Sequence, residues 1–174
     1  MPFTLLPPRE ETLIHSTLPE ANNSQPSIVI LGMGNLLLKD EGVGVHLAKL
    51  ISQKPNNVNL EIIDGGTFPD ILSLPDNVTK LIIVDAAKGV GKPGTIYRFH
   101  ADDINSRLKP TFSLHQVDIL DSLKMLNLLG KQPKSTVIFG IEPKVIDWGL
   151  ELSPEIEAKL PEIMKLVLKE IGET

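Results

Sequence analysis

The chain has 174 residues, 41% of them hydrophobic and 22% charged, which suits one globular domain with a substantial core. It contains no cysteine, so disulfides, thiolate zinc sites, iron-sulfur clusters and cysteine nucleophiles are excluded. The net charge of −5, without a run of lysine or arginine, argues against a nucleic-acid partner. Its apolar stretches fall far short of the roughly 20 residues of a membrane helix. Since the N-terminus also lacks a signal-peptide pattern, we expect a cytoplasmic protein without membrane insertion.

The N-terminal segment differs in composition from the rest of the chain. Prolines recur among polar residues, and no apolar periodicity is sustained before Ser27. This pattern predicts an irregular N-terminal extension over residues 1–27, followed by a single domain over residues 28–174.

Strands and helices alternate after that segment. Apolar runs predict strands at residues 27–32, 59–64, 80–85, 95–99 and 136–139, the fourth of them antiparallel and near a sheet edge. Apolar residues at helical spacing predict helices at residues 43–51, 116–129 and 153–171, and residues 69–74 allow one short helix. The alternation predicts an α/β fold, a three-layer α/β/α sandwich with a mostly parallel sheet of about five strands.

The last helix has the clearest local signals. Ser153 is its expected N-cap, and Pro154 occupies the first helical position. Pro161 lies inside the helix, where it removes a backbone hydrogen bond, so we expect a kink near residues 157–160.

Polar residues follow three of the predicted strands. The first strand leads into residues 32–44 (GMGNLLLKDEGVG), the second into Asp64 to Thr67, and the third ends on Asp85. In a parallel sheet the loops at the carboxyl ends of the strands converge, and ligands bind there. We therefore expect the chemistry of this protein at that edge.

The loop after the first strand does not have the composition of a phosphate-binding loop. Leu37 stands where a dinucleotide fingerprint needs its third small residue, and no Walker sequence is present. The carboxylates of Asp40 and Glu41 would repel a pyrophosphate at a helix N-terminus. They suit a cation instead, so a nucleotide-binding function is disfavoured. Such a function would predict a shift in melting temperature on addition of NAD or ATP.

His115 is the candidate imidazole ligand for a hard or borderline metal. It lies at the start of a predicted helix, which would bring it near the carboxyl edge of the sheet. The other histidines are placed less suitably, in the N-terminal segment (His15), inside the first helix (His46) and after the edge strand (His100).

Structural roles for the same residues remain open at this point. Asp40 has the spacing of a helix cap, and Asp64 and Asp85 are equally compatible with ordinary strand ends. A lone histidine is usually not a ligand. A serine hydrolase is disfavoured because the chain has no G-x-S-x-G elbow.

Six separated motifs together resemble the hydrogenase maturation protease family in order and spacing. They are residues 32–44, 64–67, 81–85, 93–94, 115–116 and 140–143, and the resemblance covers residues 28 to 171. The specificity lies in the combination, because any one of these motifs alone would be a weak signal. The resemblance implies a phosphorylase/hydrolase-like sandwich.

The resemblance also implies a function. It implies a peptidase that removes the C-terminal extension from the large-subunit precursor of a nickel-iron hydrogenase once nickel has been inserted. The family's metal-contacting positions match Glu41, Asp85 and His115. Asp64 matches the aspartate of the family's D-G-G/S motif, which implies a role in specificity or in cleavage. The candidate catalytic residues are therefore Asp64, Glu41 and Asp85.

Nickel is the metal that the resemblance implies, brought by the precursor, so that the resting protein holds none of its own. We expect the protein to be a monomer. We expect a water molecule, activated by the metal or by a neighbouring carboxylate, to attack the peptide carbonyl. The alternative is a non-cleaving nickel-sensing chaperone that uses the same ligands. A shortened large subunit would indicate the protease, and a stable complex alone would indicate the chaperone.

Overall fold

The computed structural model describes residues 27–55, 59–101 and 114–172, and for residues 114–118 it describes the backbone only. The predicted extension over residues 1–27 thus lies outside the described residues, apart from Ser27, which is the first residue of a strand.

The described residues form five strands and three α-helices. The strands are β1 (Ser27–Met33), β2 (Leu60–Gly66), β3 (Val78–Ala86), β4 (Ile96–His100) and β5 (Ser135–Ile141). The α-helices are α1 (Val43–Ser52), α2 (Leu114–Leu128) and α3 (Pro154–Gly172). Short 3-10 turns lie at Lys39–Gly42 and Ile71–Ser73.

The five strands form one sheet in the order β2-β1-β3-β5-β4. All neighbouring pairs are parallel except β4 and β5, which are antiparallel. Strand β1 is buried at every position, as its continuous apolar sequence predicts for a strand covered on both faces. The predicted mostly parallel sheet with one antiparallel edge strand is therefore confirmed.

Side-chain alternation along the strands divides the core into two layers. On one face, Ile30, Ile82 and Phe139 pack with α1 and α3. On the other face, Leu31 and Ile83 pack with α2 and the 3-10 turn after β2. Helices on both faces of one sheet make the predicted α/β/α sandwich.

The start of α3 agrees with the sequence in position but not in hydrogen bonding. Pro154 is the first helical residue, as predicted. The hydroxyl of Ser153, however, donates to the carboxylate of Asp40 at 2.8 Å. Helix α3 is continuous through Pro161, and the kink there stays a prediction.

Candidate active site

The carboxyl edge of the sheet brings the ends of β1, β2 and β3 to one level. Gly32 of β1 pairs with Asp64 of β2 on one side and with Val84 of β3 on the other. Asp85, the next residue of β3, pairs with Gly140 of β5. Since neighbouring strands lie about 4.8 Å apart, the backbones of Asp64 and Asp85 are roughly 10 Å apart across β1.

Asp85 is buried at this edge and faces the α2 layer. It follows Leu81 and Ile83 at alternate positions of β3, and both of those side chains lie in the core beneath α2. Asp85 is fully shielded from solvent, and its Oδ1 accepts a hydrogen bond from Ala86 N at 2.8 Å. A carboxylate held this way has one oxygen fixed by the backbone.

His115 lies in the first turn of α2, as the sequence predicts, although only its backbone is among the described atoms. The end of α2 at Leu128 is joined by a short connection to Ser135, where β5 begins. Helix α2 therefore runs back along the sheet, and 15 helical residues span about 22 Å, close to the length of a seven-residue strand. This geometry places the start of α2, with His115, at the carboxyl edge and on the face of Asp85.

Glu41 is carried by the 3-10 turn after β1. A close backbone approach fixes this turn: Gly34 has φ +130°, and a Cβ there would lie 1.8 Å from the carbonyl oxygen of Glu41. Residues of the same turn contact β3, the strand that carries Asp85. Glu41 is half-buried, with its Oε2 oxygen shielded from solvent. Gly34 thus lets the turn that carries Glu41 pack closely against the end of β1.

Asp40, the neighbour of Glu41, is fully buried and points to the segment that follows β5. Its carboxylate accepts hydrogen bonds from the backbone of Lys144, Val145 and Ser153 and from the Ser153 hydroxyl, at 2.6 to 3.0 Å. Neither the 3-10 turn nor the start of α1, both within the described residues, has a side-chain cap. The helix-cap interpretation of Asp40 is therefore wrong, and the residue fastens residues 144–153 to the turn.

Asp64 lies on the opposite face of the sheet from Asp85. It shares the orientation of Gly32 and Val84, toward α1, and it is exposed. Its Oδ1 accepts a hydrogen bond from Gly66 N at 3.0 Å. Its side chain lines a cavity of about 520 Å³, whose other walls come from the loop after β1, from α1, from β2 and from Leu150.

Similarity to known proteins identifies the family of the chain. The family model described as hydrogenase maturation protease matches residues 43–170. The chain belongs to the hydrogenase maturation protease family. It is 32% identical over 152 residues to the Hydrogenase 2 maturation protease of Escherichia coli K12, covering 84% of this chain and 92% of that protein. It is 31% identical to HupD, a hydrogenase expression/formation protein of Thiocapsa roseopersicina, over 86% of this chain and 70% of that protein.

Solved structures of maturation proteases share the fold. The hydrogenase maturating endopeptidase HybD from Escherichia coli superposes with a TM-score of 0.75 at 31% identity, over 84% of this chain and 93% of that one. A [NiFe] hydrogenase maturation protease from Thermococcus kodakarensis gives 0.70 at 29% identity, over 82% and 97% of the two chains. As a member of this family the chain is a peptidase.

In this maturation protease, the turn that carries Glu41, the end of β3 with Asp85 and the first turn of α2 with His115 lie at the carboxyl edge of the sheet. Asp64 is at the same edge, on the other side of β1 and on the opposite face. Among the residues whose side chains are described, which do not include His115, no group of three or more His, Cys, Asp or Glu is placed to hold a metal ion. Two carboxylates at this edge can bind a cation or move a proton.

Glu142 is a residue to which sequence reasoning assigned no role, although its motif was noted. It follows β5 at the carboxyl edge, is only 8% exposed, and accepts hydrogen bonds from Tyr97 Oη (2.6 Å) and Gly89 N (2.7 Å). Its backbone is paired with Gly94 and Thr95. The hydrogen bond to Glu142, and then burial, raise the pKa of Tyr97 above its usual value of 10.0. Through its hydrogen bonds with Gly89 and Gly94, Glu142 holds the loop that follows β3.

Among the described helices, none combines the length and the apolar character that crossing a bilayer requires.

Proposed function

We propose that this peptidase removes the C-terminal extension from the large-subunit precursor of a [NiFe] hydrogenase after nickel insertion. It recognises the nickel that the precursor carries through Glu41, Asp85 and His115. The observation that supports this most is the convergence of three separate elements at one edge: the turn after β1, the end of β3 and the start of α2.

The donor set fits such a substrate. Carboxylate and imidazole donors suit a borderline divalent ion, whereas the chain has no thiolate to offer. Thiolate ligands of the nickel would therefore come from the precursor, and the protease would add oxygen and nitrogen donors. Binding the substrate through its own metal fixes the position of the scissile peptide, which is the main requirement for fast hydrolysis.

Asp64 is the carboxylate that we propose acts in cleavage or specificity. Peptide hydrolysis needs a group that takes a proton from the attacking water and returns one to the leaving amine. Asp64 is exposed, lines a cavity and has one oxygen fixed by Gly66 N, so a peptide can reach it.

The test is the mass of the product. We expect wild-type protein to shorten nickel-loaded precursor at one defined bond and to leave nickel-free precursor intact. Glu41→Ala and His115→Ala should slow cleavage by at least about 100-fold, because each removes a proposed contact to the substrate's metal. Asp121→Ala is the matched control, since Asp121 is an exposed carboxylate of α2 that pairs with Lys124 one turn along the same helix.

Two results would contradict the proposal. If Glu41→Ala and His115→Ala processed nickel-loaded precursor at the normal rate, these residues would not be needed for substrate recognition. A stable complex with no shortened product from the wild-type protein would indicate a non-cleaving chaperone in place of a protease acting on this precursor.

A further inference from the structure

An exposed apolar surface lies beside the carboxyl edge, and we call it the apolar platform. Its members are Leu36 (38% exposed), Leu37 (52%), Ile146 (40%), Trp148 (75%) and Leu150 (63%). Single exposed apolar side chains are ordinary on a protein surface, whereas a group of five, including a large aromatic, is typical of an interaction site.

Backbone pairing joins the two segments that carry the platform. Gly149 N donates to Leu37 O at 3.0 Å, and Lys39 N donates to Gly149 O at 2.9 Å. Leu38 and Gly149 form a parallel β-bridge. Leu36 and Leu150 line the same cavity, so side chains from both segments of the platform border one space.

The platform is fastened to the turn that carries Glu41. Asp40 accepts the hydrogen bonds of Lys144, Val145 and Ser153, which hold both ends of the 144–153 segment. Since Asp40 and Glu41 are adjacent in one 3-10 turn, a partner seated on the platform is held at a fixed offset from Glu41. A buried carboxylate with this many charge-assisted hydrogen bonds makes such a connection stiff.

The platform also continues into the cavity that contains Asp64. Leu36 and Leu150 form part of its wall, and Asp64 lies in its lining near the end of β2. A protein that covers the platform can therefore pass an extended segment along the cavity to the carboxyl edge. The rim of the platform is polar, with Asp147 and Glu151 exposed, as in protein interfaces with an apolar centre.

We infer that the apolar platform docks the folded body of the hydrogenase large-subunit precursor, separately from the contact to its metal. On the proposed function, the peptidase contacts its protein substrate at the carboxyl edge of the sheet, and residues 36–41 connect the platform to that edge. The identity of the partner rests on the proposed function. Exposed aromatic anchors carry a large share of binding energy in such interfaces, so Trp148 is the expected centre.

Steady-state kinetics with nickel-loaded precursor provide the first test. Trp148→Ala should raise KM at least about tenfold and leave kcat within about twofold, because it removes uniform binding and lies outside the cavity of Asp64. Leu150→Ser should also raise KM at least about tenfold. Leu128→Ser is the matched control, since Leu128 is 81% exposed at the far end of α2 and should leave KM unchanged. Melting temperatures of all variants show that the fold is kept.

A second measurement needs no substitution. Trp148 is the single tryptophan of the chain, so protein labelled with 5-fluorotryptophan gives one fluorine resonance from the platform. We expect that resonance to shift on titration with nickel-free precursor, which presents the same folded body without the metal. In the labelled Leu150→Ser variant the Kd from this titration should rise at least about tenfold.

The outcomes separate this inference from the proposed function. Cleavage by the wild-type protein with unchanged KM in both platform variants would overturn the docking inference alone. Absence of cleavage, together with a shifted resonance and a weaker Kd for Leu150→Ser, would overturn the proposed cleavage and support docking. An unshifted resonance would overturn the docking inference. A dimer of the wild-type chain in ultracentrifugation that Trp148→Ala dissociates would also overturn it, because the platform would then be covered by a second copy.

Discussion

At the residue scale, two adjacent carboxylates have opposite surroundings. Asp40 is enclosed and satisfied by residues 144–153, whereas Glu41 in the same turn is half-buried. The sequence could place both near a helix start, but the partners of Asp40 are more than 100 residues away along the chain. Local spacing contains no information about such partners, which is why the cap interpretation failed.

Tyr97 gives a prediction at the same scale. It is the single tyrosine of the chain, and the hydrogen bond to Glu142 raises its pKa above 10.0. Tyrosinate absorbance should therefore titrate with a midpoint above 10.0 in the folded wild-type protein and lower in Glu142→Gln, because the charged partner is gone. The unfolded protein in denaturant is the control. An unchanged midpoint in Glu142→Gln would contradict the assigned cause.

At the element scale, most of the fold was predictable because the core-forming segments are locally consistent. Strands β1 and β3 are apolar runs with turn signals at their ends, and α3 begins at Pro154 as the capping pattern predicts. The sequence did not predict that the Ser153 hydroxyl bonds to Asp40. Capping rules describe a helix in isolation, whereas this hydroxyl has a charged partner from another element.

Packing of α1 against the sheet depends on Gly44. A Cβ at this position would lie 2.1 Å from Val84 O and 2.4 Å from Met33 O, both rigid strand backbone. We expect Gly44→Ala to lower the free energy of unfolding by about 2 kcal/mol, because an overpacking cost of about 3 kcal/mol exceeds the roughly 1 kcal/mol that alanine gains in a helix. Denaturant titration measures this change.

A second helical glycine provides the control for Gly44→Ala. At Gly172, the last residue of α3, a Cβ would meet no atom of the described residues within 4 Å. Gly172→Ala should therefore change stability by less than about 0.5 kcal/mol. Equal effects of the two substitutions would mean that α1 can move away from β1 and β3 at little cost, which would contradict the close packing at Gly44.

At the scale of the whole molecule, the sequence predicted the edge that carries the site but not the face of each residue. Convergence of strand ends places Asp64 and Asp85 at one edge. Their faces depend on register, because Asp64 is level with Val84, so that Asp85 points to the other side. Register between β1, β2 and β3 is set by non-local packing, and no residue pattern within one strand determines it.

The opposite end of the sheet is held by an ionic network around the buried carboxylate of Glu170. Glu170, near the end of α3, accepts two hydrogen bonds from Arg98 of β4, and Lys80 Nζ donates to the Glu170 backbone oxygen at 2.9 Å. Burial alone would raise the pKa of Glu170. The hydrogen bonds from Arg98 and the charges of Arg98, Lys80 and His100 lower it by more than burial raises it, so the net shift is downward from 4.5. The network thereby joins α3, β3 and β4 away from the carboxyl edge.

The lowered pKa of Glu170 fixes the sign of a pH dependence. Since the folded state favours the charged form, the stabilisation is complete above the ordinary pKa of 4.5 and is lost as the pH falls through the lower folded-state value. Glu170→Gln should therefore cost about 2 kcal/mol of unfolding free energy near pH 7 and clearly less near pH 3, because it leaves the buried Lys80 without its counter-charge and removes the pair with the partly exposed Arg98. Urea titrations at both pH values measure the difference. The control is Glu162→Gln, which breaks the exposed pair with Lys159 and should cost less than about 0.5 kcal/mol at both pH values. If the cost of Glu170→Gln did not depend on pH, the ionic origin of the effect would be contradicted.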